Sequence, residues 1–243
     1  MSSIALTNPA PAPADVLSRL RERVAAIEGQ SLGAQQVATD PLIAALLPEG
    51  GLRAGAMYAL DASPSLLLAL LAPPSQQGSW CAAVGLPHLG IEAARLAGVD
   101  ISRLVLVPEP GARWLAVVSA LSEALPIVAV RPPRARGAGA AAADAEVSRL
   151  AARLRDRGAT LLVQGPWPQA DAMLSLSRPT WSGIGRGEGY LSSREVTVTV
   201  SSRRHPVPRS ARLQLPATGG SIAASFDVEA RAAGAPTRLR AVG

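Results

Sequence analysis

Gly50–Leu71 reads GGLRAGAMYALDASPSLLLALL. The glycine pair makes a turn, and Ala56–Leu60 is apolar throughout, as a strand covered on both faces must be. Asp61–Ser65 is a tight loop of turn formers, and the leucines from Leu66 to Leu71 open an apolar helix. Strand, loop and helix in this order are the frame in which a P-loop holds phosphates. That chemistry needs loop glycines, a Lys for the β/γ oxygens and a Ser/Thr hydroxyl for Mg²⁺. The loop Asp61, Ala62, Ser63, Pro64, Ser65, Leu66 carries no glycine, and Leu67 and Leu68 stand at the Lys and Ser/Thr positions. All 24 residues counted as Lys+Arg are arginine, so no alternative alignment supplies the lysine. The frame is kept without its chemistry, and no cofactor is expected.

Downstream, short apolar strands alternate with helical stretches. The expected strands are Ala56–Leu60, Trp80–Gly85, Leu104–Val107, Ile127–Val130 and Thr160–Gln164. The expected helices are about Ser65–Leu71, Leu89–Ala97, Ala112–Ala124 and Asp144–Asp156. Alternation of this kind predicts βαβ units and a mainly parallel sheet. Glu195–Val200 (EVTVTV) and Ala211–Leu215 (ARLQL) instead have period two and predict half-exposed strands. Joined by Ser201–Ser210, they form an antiparallel hairpin with Arg203, Arg204 and His205 near its tip.

The stretch ATDPLIAALLPEGGLRAGAMYAL, with SWCAAVGLPHLGIEAARLAGVDISRLVLV after it, resembles a RecA-type ATPase core. GRGEGYLSSREVTV (Gly185–Val198) and RSARLQLP (Arg209–Pro216) are similar to the RecA-like accessory proteins of bacterial inducible-mutagenesis cassettes, the ImuA type in its actinobacterial form. The likeness covers Val37 to Pro216. It implies that the water-activating glutamate falls on Pro87, before His88, and the Walker B acid on Arg131. With Leu67 and Leu68, all four chemical roles are vacated. The resemblance implies a non-enzymatic adaptor in a damage-induced translesion-synthesis assembly. Its partners would be an ImuB-type polymerase-like protein and an error-prone replicative-type DNA polymerase, with weak contact to DNA or RecA open. A SulA-like division inhibitor and an active ATPase paralogue are the alternatives, the latter opposed by the vacated loop.

Hydrophobic residues make up 48% of the 243-residue chain and aromatics only 3%, so Leu, Val and Ala must fill one α/β core. The expected organisation is a disordered segment and helix over 1–36, a RecA-like core with its hairpin over 37–216, and a flexible interaction tail over 217–243. In the first part, Val16, Leu20, Val24 and Ile27 fall on one helical stripe between Asp15 and Glu28. Cys81 lies alone in a buried strand, suiting a reducing cytoplasm, and no signal peptide or membrane-spanning run is legible. The two histidines and one cysteine have no metal-ligand spacing.

Charge is uneven: residues 1–130 carry 7 Arg and 10 acids, residues 131–243 carry 17 Arg and 8 acids. The basic half suits an anionic partner or a merely solvated face. Candidate phosphate contacts are Arg134 and Arg136 in PPRARGAGAAAA (132–143), and Arg203, Arg204 and Arg209 on the hairpin. Trp167 and Trp181 flank a Pro-rich, loop-like stretch and either stack on bases or anchor that loop. The hairpin and tail are the expected docking surface, because a sheet covered on both faces exposes few apolar groups. Ile222, Phe226 and Val228 form an apolar island there, with Phe226 the aromatic anchor.

Overall fold

The computed structural model describes residues 36–133, 140–185, 188–203 and 205–225. All belong to the second of two units into which the chain divides, Met1–Gln35 and Gln36–Gly243. Arg134, Arg136, Arg204, Phe226 and Val228 lie outside the described residues, as does the stripe from Val16 to Ile27.

In chain order the elements are β1 (Gln36–Val37), α1 (Pro41–Ala44), β2 (Leu52–Arg53), β3 (Met57–Leu60), α2 (Pro64–Gln76), β4 (Cys81–Val84), α3 (Ile91–Leu96) and β5 (Leu104–Val107). They continue with α4 (Trp114–Ala124), β6 (Ile127–Val130), α5 (Ala140–Arg157), β7 (Thr160–Gln164), β8 (Ala172–Gly185), β9 (Glu188–Ser202), β10 (His205–Gln214) and β11 (Ala223–Ala224). β1 and β2 form a small antiparallel ladder; the main sheet has nine strands in the order β11-β10-β9-β8-β3-β7-β6-β4-β5. From β5 to β8 every pairing is parallel, and from β8 to β11 every pairing is antiparallel.

One face of the sheet packs against α1, α2 and α3 through Tyr58, Leu60, Cys81, Ile127 and Leu162. The other packs against α4 and α5 through Met57, Val84, Val128, Leu161 and Val163. Double coverage explains why β3, β4, β6 and β7 are buried at every position. The fold is α/β, with a mainly parallel central sheet, flanking helices and an antiparallel extension.

Four expectations need correction. The leucine helix does not stop near Leu71 but runs through Pro73 and Pro74 to Gln76. Each internal proline costs a hydrogen bond and about 3 kcal/mol. Leu66 to Ala72 are nevertheless buried all round, at about 1.5–3 kcal/mol for each leucine, and this burial outweighs the penalty. The stretch after Trp167 is a loop only to Asp171; Ala172–Gly185 is strand. Its Pro179 is accommodated by a break in register between Ser177 and Thr180, with Arg178 at φ 51°. The hairpin connection is shorter than Ser201–Ser210, because β10 already begins at His205; an irregularity between His205 and Arg209 absorbs Pro206 and Pro208. Past Pro216 the chain is not tail throughout: Ala223–Ala224 adds β11 to β10, and Ile222 packs against the core.

Candidate functional site

β3 delivers its C-terminal end to the loop Asp61–Ser65, and the loop is closed by the protein's own groups. The Asp61 N–H donates to the Leu174 carbonyl (3.0 Å), and Asp61 Oδ2 accepts from the Leu176 N–H (2.6 Å). One side chain thereby ties the loop to β8. Ser63 caps α2, its Oγ accepting from the Leu66 N–H at 3.4 Å, while Gln164 Nε2 donates to the Ser63 carbonyl at 3.3 Å. Leu67 and Leu68, expected from the sequence at the lysine and hydroxyl positions of a P-loop, are 0% and 3% exposed.

Arg194, from β9, completes the closure. Its Nη2 donates to Ser63 Oγ (3.2 Å) and Ser65 Oγ (2.9 Å), and its Nε donates to the Leu215 carbonyl (2.8 Å). Its backbone exchanges bonds with Leu215 and Pro216, and its guanidinium lies 5.4 Å from the Trp181 ring centroid. Burial lowers its pKa from the usual guanidinium value. A helix N-terminus favours anions. Here a cation of the protein itself is seated on the two serines of that terminus. The residues present do not fit a magnesium–triphosphate: the loop lacks glycine and lysine, the hydroxyl position is buried leucine, and the serines already serve Arg194.

The strand period marks Arg194, although it was not among the sequence candidates. Val196, Val198 and Val200 are buried, so continuing their alternation backwards puts residue 194 on the same inward face. A charged residue at an inward position demands a polar partner.

The structure brings together the two other positions singled out in the sequence. Pro87 and Arg131 line one cavity of about 410 Å³ with His88, at the carboxyl ends of β4 and β6. Gly85, at φ 72°, must be glycine there, since a Cβ would fall 2.5 Å from the Arg131 carbonyl oxygen. A larger cavity, about 630 Å³, lies between Asp61, the loop 165–171 and the end of β9. Trp167 borders it as an anchor, edge-on to Trp114 at 6.3 Å and donating Nε1–H to Met57 Sδ. Trp181 is half exposed under Arg194. Of the candidate phosphate contacts, Arg203 donates to the Pro168 carbonyl (2.6 Å) and Arg209 to the Leu47 carbonyl (3.3 Å). Ile222 is half buried on the core. Among the described residues no group of His, Cys, Asp and Glu could hold a metal ion, and no helix is long and apolar enough to cross a membrane.

Comparison with known proteins places this geometry. The family model described as MT3502 N-terminal domain matches residues 45–169. The uncharacterized protein Rv3395c of Mycobacterium tuberculosis (strain ATCC 25618 / H37Rv) is 30% identical over 165 residues, 67% of this chain and 76% of that protein. The crystal structure of the RadB recombinase superposes with a TM-score of 0.57 at 15% identity, covering 77% of this chain and 97% of that one. That likeness identifies the fold as RecA-like.

Proposed function

We propose that this chain, which belongs to the MT3502 N-terminal domain family, is a non-enzymatic RecA-like adaptor of the ImuA type. It would bind and support a polymerase-like partner in a DNA-damage-induced mutagenic translesion-synthesis assembly. The observation that carries the reading is Arg194 seated on Ser63 and Ser65, beside a buried Leu67. A nucleotide would have to displace that guanidinium, and it would find neither lysine nor hydroxyl ligand in exchange. Charge-assisted hydrogen bonds contribute about 1.5–3 kcal/mol each, so the loss of several leaves little triphosphate affinity. A fold without a nucleotide switch acts through fixed surfaces, which is the behaviour of an adaptor. The basic half, 17 Arg against 8 acids over 131–243, is consistent with work close to DNA. Any direct contact there should be sequence-indifferent and strongly salt-dependent.

The test pairs two measurements on the purified full-length chain. Calorimetric titration with Mg-ATP should give no saturable heat. Immobilised polymerase-like protein from the same mutagenesis cassette should retain the chain at physiological salt. Saturable micromolar ATP binding, or no retention by that partner, would overturn the adaptor reading.

A further inference from the structure

The two helical layers do not cover the sheet equally. On the face of Met57, the buried cluster joins α4 and α5 to β3, β4, β6 and β7; among the described residues it includes none from β8, β9 or β10. The cause is the connection from β7 to β8, which run parallel to β3 on either side of it. A parallel crossover usually takes about a dozen residues or more, and usually an α-helix. Here residues 165–171 make it without a helix, because β8 starts level with Tyr58, beside Ala172. The layer therefore lacks the helix that would lie over β3 and β8.

The cavity of about 630 Å³ stands in that place. Ala59, Met173 and Ser201, side by side on β3, β8 and β9, form its floor. Pro166, Trp167 and Ala170 form its wall, braced where Gln169 Nε2 donates to Ser148 Oγ of α5 at 3.0 Å. Both carboxylates of the lining already hold donors of the protein itself. Asp61 accepts from the Leu176 N–H, and Asp171 accepts at 3.0 Å from both Arg53 Nη2 and the Met57 N–H. Arg203 at the lip is different. It is exposed, donates to the Pro168 carbonyl, and has no acidic partner among the described residues.

We propose that this cavity docks an amphipathic helix of a protein partner, with an apolar stripe for the floor and carboxylates on its flank for Arg203. An extended segment does not fit, because β8 is paired with β3 on one side and β9 on the other and has no free edge. A helix brings its backbone bonds already made and completes the layer that stops at β3. A flanking carboxylate gives the Arg203 guanidinium the planar partner it lacks. Nucleic acid is the poorer fit, since Asp61 and Asp171 would face its phosphates. So is a second copy of this chain. Its longest described helix, α5, exposes Arg149, Arg153, Arg155 and Arg157 against Glu146 and Asp156, a surplus of the same charge as Arg203. That the partner is the polymerase-like protein rests on the adaptor reading; the cavity and its charge do not.

The experiment measures affinity of the full-length chain for the polymerase-like protein and for two stapled, fluorescein-labelled helical peptides. One is Glu-Leu-Ala-Glu-Leu-Leu-Glu-Ala-Leu-Glu-Ala-Leu-Leu-Glu; the other carries Lys in place of every Glu. The wild type is compared with Ser201→Trp, which fills the floor, Arg203→Glu, which reverses the lip, and Leu106→Lys at the far edge of the sheet. All three positions are exposed, and unchanged melting temperatures verify folding. The expected result is at least about tenfold weaker binding of partner and acidic peptide in the two cavity variants, with Leu106→Lys unchanged. The lysine peptide should bind Arg203→Glu alone, an exchange of specificity that a structural role would not produce. Partner binding that both cavity variants keep at full strength overturns this proposal and leaves the adaptor reading standing. A wild type that ignores the partner overturns the adaptor reading, and the acidic peptide then decides. Its binding, lost in Ser201→Trp, sustains the cavity; no binding, or displacement by single-stranded oligothymidylate, overturns the helix proposal.

Discussion

The parallel and antiparallel halves of the sheet are held by different means. Strands β3, β4, β6 and β7 are buried on both faces between two helical layers. Strands β9 and β10 bury one face only: Val196, Val198, Val200 and Leu213 point inward, while Thr199 and Ser210 bond to each other on the outside at 2.8 Å. The parallel half is clamped by helices, whereas the antiparallel half must be tethered. Its tethers converge on the loop after β3, where Asp61 holds Leu176 and Arg194 holds Ser63 and Ser65. The loop after β3 is therefore a seam between the two halves.

The severest way to break the seam is Leu67→Lys. The leucine is fully buried in the core under α2, and its replacement loses about 1.5–3 kcal/mol of burial. An ammonium group without a partner adds to this, for a total above about 4 kcal/mol. Urea denaturation should show a collapse of the midpoint, and no ATPase activity should appear. A midpoint within experimental error of the wild type would mean that residue 67 is not packed as described.

A milder cut separates the halves more selectively. Arg194→Ala removes three side-chain hydrogen bonds, but the site is partly open to solvent. The expected cost is therefore near the lower end of the range for charged groups, about 1–2 kcal/mol. Its location is the sharper readout. Amide exchange should accelerate in β9, β10 and the Leu215–Pro216 turn, with β4, β6 and β7 unchanged. Arg194→Lys should restore only part of the protection, since one ammonium cannot reproduce the planar fork reaching Ser63, Ser65 and Leu215 together. Uniform acceleration throughout the sheet would show that the halves unfold as one and that Arg194 is no tether.

The same contrast explains what was legible in the residues. Strands β5, β6 and β7 fall at the expected positions to the residue, and β3 and β4 are shorter only at their ends, because continuous apolar runs between turn formers have few other solutions. The strand–loop–helix frame around Asp61–Ser65 was legible because an apolar run, a cluster of turn formers and a leucine run follow one another there. Strand β8 was hidden by Pro179 and by a polar outward face, which together read as loop; the bulge that rescues it is a tertiary effect. The extent of α2 was hidden by Pro73 and Pro74, since local propensity argues for a stop and only the surrounding core overrides it. Arg194 was visible in the alternation of β9, but its partners 131 and 129 residues away were not.

A further effect is absent at neutral pH and emerges only in alkali, through two buried groups of the parallel half. Burial pushes the Cys81 thiol up to about 12 from 9.0, and the Tyr58 phenol up to about 12 from 10.0. The Arg53 N–H, donating to the Tyr58 hydroxyl oxygen at 2.9 Å, favours the phenolate, but burial outweighs it. In both cases the folded state holds its proton where the unfolded state releases it. Stability is therefore fully present below the unfolded pKa values and is lost as pH rises towards 12. The decline should begin near pH 9 with the unfolded thiol and steepen above 10 as the unfolded phenol joins, at no more than about 1.4 kcal/mol per pH unit for each group. Cys81→Ala should remove the first part of the decline and Tyr58→Phe the second, in guanidinium midpoints measured from pH 8 to 11. The loss should also be cooperative across the sheet, unlike that of Arg194→Ala, because the whole parallel half must open before either group ionises. A thiol that reacts with a disulfide reagent at pH 8 in the native protein, at a rate independent of unfolding, would show that Cys81 is reached without that opening.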